Sequence, residues 1–215
     1  RGRAGRGLPG GLVNRRLGVL VSGRGSNLQA LIDAVAWGRL DATIAVVISN
    51  RPDAAALELA RRAGIDAVSV SHRGWSERDN FDRELVRQLQ ARNVGLVCLA
   101  GFMRLVGQPM IDAFPDAILN IHPSLLPAFQ GIDAQRQALD YGVRVSGVTV
   151  HLVTPELDSG PIVLQRVVPV LDGDSAQTLA TRILKEEHSA YPEAIRIVLD
   201  GGWRLDGRRF VAAAT

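Results

Sequence analysis

Leu17-Gly-Val-Leu-Val21, Ser22-Gly-Arg-Gly-Ser26, Asn27-Leu-Gln-Ala-Leu-Ile-Asp-Ala-Val-Ala-Trp37 and Ala42-Thr-Ile-Ala-Val-Val-Ile48 follow one another near the start of the chain. The first and last are short, nearly all-apolar runs, the pattern of strands buried on both faces. Between them Leu28, Leu31, Ile32 and Val35 recur at the spacing of one helix face. A strand, a glycine-containing turn, a helix and a second strand form a βαβ unit, whose strands run parallel.

The same alternation continues outward. Ser49-Asn-Arg-Pro-Asp53 breaks the second strand, residues 54–63 read as a helix closed by Gly64, and Ala67–Val70 is a short strand. A charged helix over 76–92 turns Phe81, Leu85 and Leu89 inward, and Val94–Ala100 and Ala117–Ile121 are further strands. A helix over 133–141 leads into strands at Val143–Val153 and Pro161–Val170, and a closing helix over 174–199 carries Leu179, Ile183 and Ile195. Only about seven residues join those last two strands, too few for a helical crossover, so they are expected to pair antiparallel. The expectation is an α/β fold in which residues 15–215 form a single Rossmann-like domain. Its mostly parallel, twisted sheet of about seven strands has helices on both faces and an antiparallel C-terminal edge.

Composition narrows the class. The 215 residues are 47% hydrophobic and 22% charged, which excludes a disordered chain. A lone cysteine, Cys98, excludes an internal disulfide framework and a Cys-based zinc site, and its place in a strand marks it as core. No apolar run approaches the roughly 18–20 residues of a membrane span, and Arg1-Gly-Arg-Ala-Gly-Arg-Gly7 is no secretory signal. The chain is therefore expected to be soluble and cytoplasmic, with no membrane partner. The net charge of +3 rests on Arg1, Arg3, Arg6, Arg15 and Arg16, without which it is −2. Residues 1–14 read as a flexible Arg/Gly-rich leader with no aromatic side chains to stack on bases, so no nucleic-acid partner is expected.

Three segments carry chemistry. In Ser22-Gly23-Arg24-Gly25-Ser26-Asn27 the glycines allow close backbone approach, and the following helix N-terminus favours an anion such as phosphate. Leu28 stands where a dinucleotide fingerprint has its third glycine, and the second strand ends in Ser49-Asn50-Arg51 rather than an acid, so a mononucleotide-type phosphate is favoured over NAD. The alternative is a plain turn with Ser26 or Asn27 as helix cap. Asn120 and His122, two apart at the end of an apolar strand, emerge on one face. There a histidine can exchange protons and an amide can donate to a developing oxyanion. Asp158, in Thr154-Pro-Glu-Leu-Asp158-Ser-Gly-Pro161, is a carboxylate suited to orient that imidazole. Glu156 is its rival, and a turn residue bonding its own backbone is the other reading of Asp158. His72, His122, His151 and His188 lack metal-ligand spacing, so no metal is expected, and His151 reads as a strand residue lining the site near Asp158.

Four motifs occur in order: Ser22-Gly-x-Gly-Ser-Asn-Leu28, Ala100-Gly-Phe-Met-Arg-Leu105, Asn120-x-His-Pro-Ser-Leu-Leu-Pro127 and Leu157-Asp-x-Gly-Pro161. Over about residues 16–200 the chain resembles the phosphoribosylglycinamide formyltransferases of the folate-dependent formyltransferase family. That resemblance implies transfer of the formyl group of 10-formyltetrahydrofolate, as co-substrate, to the primary amine of glycinamide ribonucleotide in purine biosynthesis. Attack is direct and passes through a tetrahedral intermediate, and the enzyme is a monomer or homodimer. It makes Asn120, His122 and Asp158 catalytic, and assigns the ribonucleotide to Gly25, Ser26, Asn27 and Glu187. The folate is assigned to Arg78, Met103, Arg104, Leu105 and Val106, with Asn120 and Asp158 beside its reactive end and the 154–158 loop closing on the pterin. Arginine suits a folate tail, whose carboxylates it can hold through two parallel hydrogen bonds.

Many members of that family follow Leu-Leu-Pro with Pro-Gly and a nearby histidine, whereas this chain has Phe129-Gln130-Gly131-Ile132-Asp133, leaving the three catalytic positions intact. Three alternatives are weighed. Formyltetrahydrofolate hydrolase (deformylase) shares the second pair of motifs but is expected to carry an N-terminal regulatory domain. Methionyl-tRNA formyltransferase is expected to carry a C-terminal RNA-binding domain. A non-catalytic nucleotide-binding module or NAD(P) oxidoreductase is disfavoured by the incomplete glycine fingerprint.

Overall fold

The structure is a computed structural model that describes residues 14–75 and 77–212; most of the leader expected over 1–14 lies outside them. The βαβ reading is realised by β1 (Arg16–Val21), α1 (Ser26–Ala36) and β2 (Thr43–Ser49). There follow α2 (Ala55–Arg62), β3 (Ala67–Ser69), α3 (Arg78–Gln90), β4 (Leu96–Leu99), α4 (Gln108–Ala113) and β5 (Ile118–His122). The remainder is α5 (Ala134–Tyr141), β6 (Val145–Leu152), β7 (Ile162–Pro169), α6 (Ala176–Asp200), β8 (Arg204–Asp206) and β9 (Arg209–Val211).

These strands form one sheet in the order β3-β2-β1-β4-β5-β6-β7-β9-β8. From β3 to β5 every pairing is parallel; β6–β7 is antiparallel as its short connection required, and β5–β6 is antiparallel as well. The sheet has nine strands rather than about seven. The two extra strands are three-residue pieces turned at Gly207-Arg208, and they hold because Phe210 stacks on the buried Trp203 at 4.8 Å between ring centroids. Helix α4 was also not expected: it is six residues long and Pro109 sits in its first turn.

The parallel strands are buried on both faces, with Leu17, Val19, Leu20 and Val21 of β1 fully enclosed. Cys98 of β4 is likewise buried, and burial pushes its thiol pKa up, out of the range of a nucleophile. Helix α6 is fastened to the sheet where the site begins. The hydroxyl of its buried Tyr191 lies 2.9 and 3.2 Å from the carbonyls of Leu99 and Leu119, the last residue of β4 and the residue before Asn120. Strand order reverses between β1 and β4, so the loops leaving those strands part and open a crevice, the place where open α/β sheets hold ligands.

Candidate active site

Asn120 and His122 occupy alternate positions of β5 and therefore share a face, and β6 sets His151 directly opposite Asn120. The loop between β6 and β7 brings Asp158 against all three. Asp158 Oδ2 lies 3.3 Å from His122 Nδ1, and Asp158 Oδ1 accepts from the Asn120 amide at 3.4 Å and lies 3.8 Å from His151 Nε2. Asp158 rather than Glu156 is thus the partner carboxylate. Its backbone is left-handed, φ 45°, as in a turn, but its carboxylate accepts from the Gly131 N–H and the Asn120 amide rather than from its own backbone.

Hydrogen bonds assign the rings. His122 Nε2 stands 2.8 Å from the Phe129 carbonyl, which can only accept, so Nε2 carries a proton and the Nδ1 edge faces Asp158. His151 donates Nδ1–H to the Leu152 carbonyl at 2.9 Å, leaving Nε2 to accept from the Asn120 amide at 3.1 Å. The Asp158 carboxyl is held below its usual range. Burial pushes it up, but contact with His151, the Gly131 N–H at 2.9 Å and the proximity of His122 together outweigh burial. At 3.8 Å the His151 contact is too long for a hydrogen bond, so the Gly131 N–H and His122 are the firmer causes.

The turn that follows His122 is held by the buried Thr149 together with Gln165. Thr149 Oγ1 donates to the Ser124 carbonyl at 2.7 Å and accepts from the Leu126 N–H at 3.0 Å, while Gln165 donates to both Thr149 and the Leu126 carbonyl.

The expected phosphate loop lies at the start of α1. Gly25 is its N-cap, with φ 85°, and no side chain among the described residues caps the helix. The alternative of a Ser26 or Asn27 cap is therefore not realised, and the first-turn N–H groups are left for an anion. A Cβ on Gly25 would stand 2.8 Å from Ala56 Cβ, so the position demands glycine by packing as well as by backbone angle. Asn27 donates to the buried Glu187 carboxylate at 2.7 Å, joining two of the expected ribonucleotide contacts. Burial raises the Glu187 pKa, partly offset by that bond. Beside Ser26 a recess of about 390 Å³ carries the cationic side chains of Arg39 and Lys185.

The expected folate stretch follows β4. Ser22 Oγ accepts the Met103 N–H at 2.8 Å and donates to Asn50 at 2.6 Å, tying this loop to the phosphate loop. Met103 and Leu105 are exposed apolar side chains, whereas Val106 packs into the core. Arg104 sits over the Phe81 ring at 5.1 Å, and its buried Nε has no hydrogen-bond partner among the described residues. Arg78 opens α3 nearby. Both arginines attract the buried Asp82, whose carboxyl accepts the Gly107 N–H at 2.8 Å; burial nonetheless leaves its pKa raised.

The formyl transferase family pattern matches residues 15–195. The chain belongs to the formyl transferase family. As a formyl transferase it is 42% identical over 199 residues to the phosphoribosylglycinamide formyltransferase of Escherichia coli, covering 89% of this chain and 93% of that one. It is 45% identical to the human trifunctional purine biosynthetic protein adenosine-3, of whose length it spans only 19% while 88% of this chain is covered. A glycinamide ribonucleotide transformylase from Symbiobacterium toebii superposes with a TM-score of 0.93 at 53% identity, covering 99% of this chain and all of that one. A Pseudomonas syringae formyltetrahydrofolate deformylase superposes with a TM-score of 0.87 at 26% identity, covering 94% of this chain and 66% of that one.

Within the formyl transferase site, the structure unites Asn120, His122 and Asp158 directly and Asn27 with Glu187. Reading the sequence did not find the Phe129 carbonyl, the Gly131 N–H, Gln130, Ser22 or Asp82. The first two act through backbone and leave no side-chain signal. Asp82 could have been found as an acid on the inward face of α3, one residue after Phe81.

Proposed function

We propose that this formyl transferase moves the formyl group of 10-formyltetrahydrofolate to the primary amine of glycinamide ribonucleotide, a step of purine biosynthesis. The observation that carries this reading is the convergence of Asn120 and His122 on one carboxylate, Asp158, in a crevice shared with the uncapped start of α1. First-turn N–H groups at Ser26 and Asn27 receive the phosphate, and Glu187, positioned by Asn27, accepts from ribose hydroxyls. Met103 and Leu105 offer apolar surface to the folate, and Arg104 and Arg78 offer charge to its tail carboxylates.

With Nε2–H fixed on Phe129, the working nitrogen of His122 is Nδ1. Both ring nitrogens face acceptors, so Nδ1 also holds a proton, against the Asp158 carboxylate. As the amine nitrogen bonds to the formyl carbon, Nδ1 delivers that proton to N10, the C–N10 bond breaks and tetrahydrofolate leaves, and the amine proton replaces it on Nδ1. The Asn120 amide turns from its 3.4 Å contact with Asp158, the longer of its two, to donate to the oxygen of the tetrahedral intermediate.

The test is a spectroscopic deformylation assay with a 10-formyl folate, run with and without glycinamide ribonucleotide. Turnover that requires the ribonucleotide is expected. Formate release without it would assign a hydrolase, and no turnover in either arm would remove the catalytic reading.

A further inference from the structure

The segment Phe129-Gln130-Gly131, where the sequence departs from the family pattern it otherwise resembles, grips both members of the His122–Asp158 pair. The Phe129 carbonyl takes Nε2–H of His122 at 2.8 Å, and the Gly131 N–H donates to Asp158 Oδ2 at 2.9 Å. Between them, the Gln130 side chain crosses to the opposite loop and donates to the carbonyls of Asp158, at 3.1 Å, and Leu157, at 3.3 Å. The segment is itself anchored to α5, where Gln137 donates to the carbonyls of Ile132, at 2.8 Å, and Gln130, at 3.1 Å. Phe129, Gly131 and Asp133 have φ of 57°, 80° and 56°, so the segment is a run of left-handed bends that turns the Phe129 C=O and the Gly131 N–H toward the pair.

We propose that Gln130 is a positioning residue for formyl transfer: its amide clamps the Leu157–Asp158 backbone so that the Asp158 carboxylate meets His122 Nδ1. The inference rests on the catalytic role given to Asp158 under Proposed function. Asp158 holds a left-handed φ of 45°, a conformation that a residue other than glycine keeps only when its surroundings impose it. The two N–H groups of the Gln130 amide, one on the Leu157 carbonyl and one on the Asp158 carbonyl, hold the two peptide planes that flank the Asp158 Cα. The Gly131 N–H then fixes the carboxylate, and α5 supplies the rigid support through Gln137. Gln130 is exposed and touches no reacting atom in this arrangement, so its effect passes entirely through Asp158.

The test compares wild type, Gln130→Ala, Gln130→Glu and Asp158→Asn in the ribonucleotide-dependent assay, alongside amide hydrogen exchange over residues 157–160. Gln130→Ala is expected to lower kcat roughly tenfold, the order of loss that a small misplacement of a catalytic group brings, with KM for both substrates unchanged. Gln130→Glu keeps the size but sets carboxylate oxygens against two carbonyls, so it is expected to be at least as impaired. Both variants are expected to exchange faster at 157–160 while the rest of the fold keeps its protection. Wild-type kcat in either variant, or unaltered exchange in both, overturns the proposal. A Gln130→Glu variant that recovers what Gln130→Ala loses also overturns it, since size rather than donation would then matter. Should wild type and Asp158→Asn behave alike in the assay, the catalytic reading of Asp158 falls and the kinetic part of the proposal with it. The exchange arm then still decides whether Gln130 clamps the loop.

Discussion

Gly25 and Asp158 both turn the chain through left-handed backbone, at φ 85° and 45°, and each opens one end of the site. At Gly25 the turn is set by volume. The residue packs on Ala56 of α2 so closely that an added Cβ would stand 2.8 Å from another carbon, with Leu59 of the same helix beside it. At Asp158 the turn is set by bonds. The Gly131 N–H, the Asn120 amide and the Gln130 side chain hold a residue whose strand neighbours have already separated into a loop. On the function proposed above, the end that would take the ribonucleotide is preformed by packing, while the end that would take the formyl group depends on polar contacts that a substrate can exchange. Rigid placement suits a phosphate that does not change during the reaction. Exchangeable contacts suit a centre where a proton moves and an oxyanion appears.

The strongest way to break this comparison is Asn120→Ala. Loss of a single oxyanion donor commonly costs ~10²–10³ in turnover, and the variant should show that loss in kcat with KM for the ribonucleotide unchanged. Steady-state kinetics with circular dichroism as a fold control check it. A variant with near-full kcat would mean that the bonds at the formyl end are structural only.

Gly25→Ala tests the other end. It places a side chain in a left-handed position and against Ala56, which should lower stability by about 1–3 kcal/mol. Because the turn aims the first N–H groups of α1, KM for the ribonucleotide should rise about tenfold, the cost of losing roughly one net hydrogen bond, while kcat changes less. Thermal melting and kinetics in parallel check both parts. A variant that melts lower with KM intact would separate the packing of this loop from binding.

How far the sequence carried the reading follows the same division. The parallel half was legible because apolar runs and helical spacing are side-chain patterns: Leu17–Val21 with Leu28, Leu31 and Ile32 announce strand and helix without ambiguity. The alternate placement of Asn120 and His122 needed only the two-residue period of a strand. By contrast, the contacts of Phe129 and Gly131 are made by backbone groups, to which the sequence gives no clue. In the sequence Gln130 reads only as a departure from a family pattern, because the Leu157 and Asp158 carbonyls it bonds lie far along the chain. The β8–β9 hairpin was missed for a different reason. The turn is Gly207-Arg208, a two-residue loop with glycine first, but the flanking runs are short and arginine-rich, and their stability comes from Phe210 on Trp203 rather than from alternation.

The smallest effect, and the one that sharpens the comparison most, is expected from Glu187→Gln. Glu187 is a buried carboxylate at the packed end, and burial outweighs the hydrogen bond from Asn27 to leave its pKa raised. The folded state therefore binds its proton more tightly than the unfolded chain does. Stability falls as pH rises from the ordinary glutamate value, roughly 4.3, through the folded pKa, and above that the full penalty for the buried charge remains. Glu187→Gln removes the charge and keeps an oxygen for the Asn27 amide, so it should melt higher than wild type at neutral pH. That advantage should vanish as pH falls below the ordinary glutamate range. KM for the ribonucleotide should meanwhile rise several-fold, because an amide oxygen accepts more weakly than a carboxylate. Melting curves across pH with matched kinetics measure both. A variant that melts lower than wild type at neutral pH would show that the charge is held by packing without strain. A higher melting temperature with KM unchanged would show that this carboxylate does not meet the ribonucleotide at all.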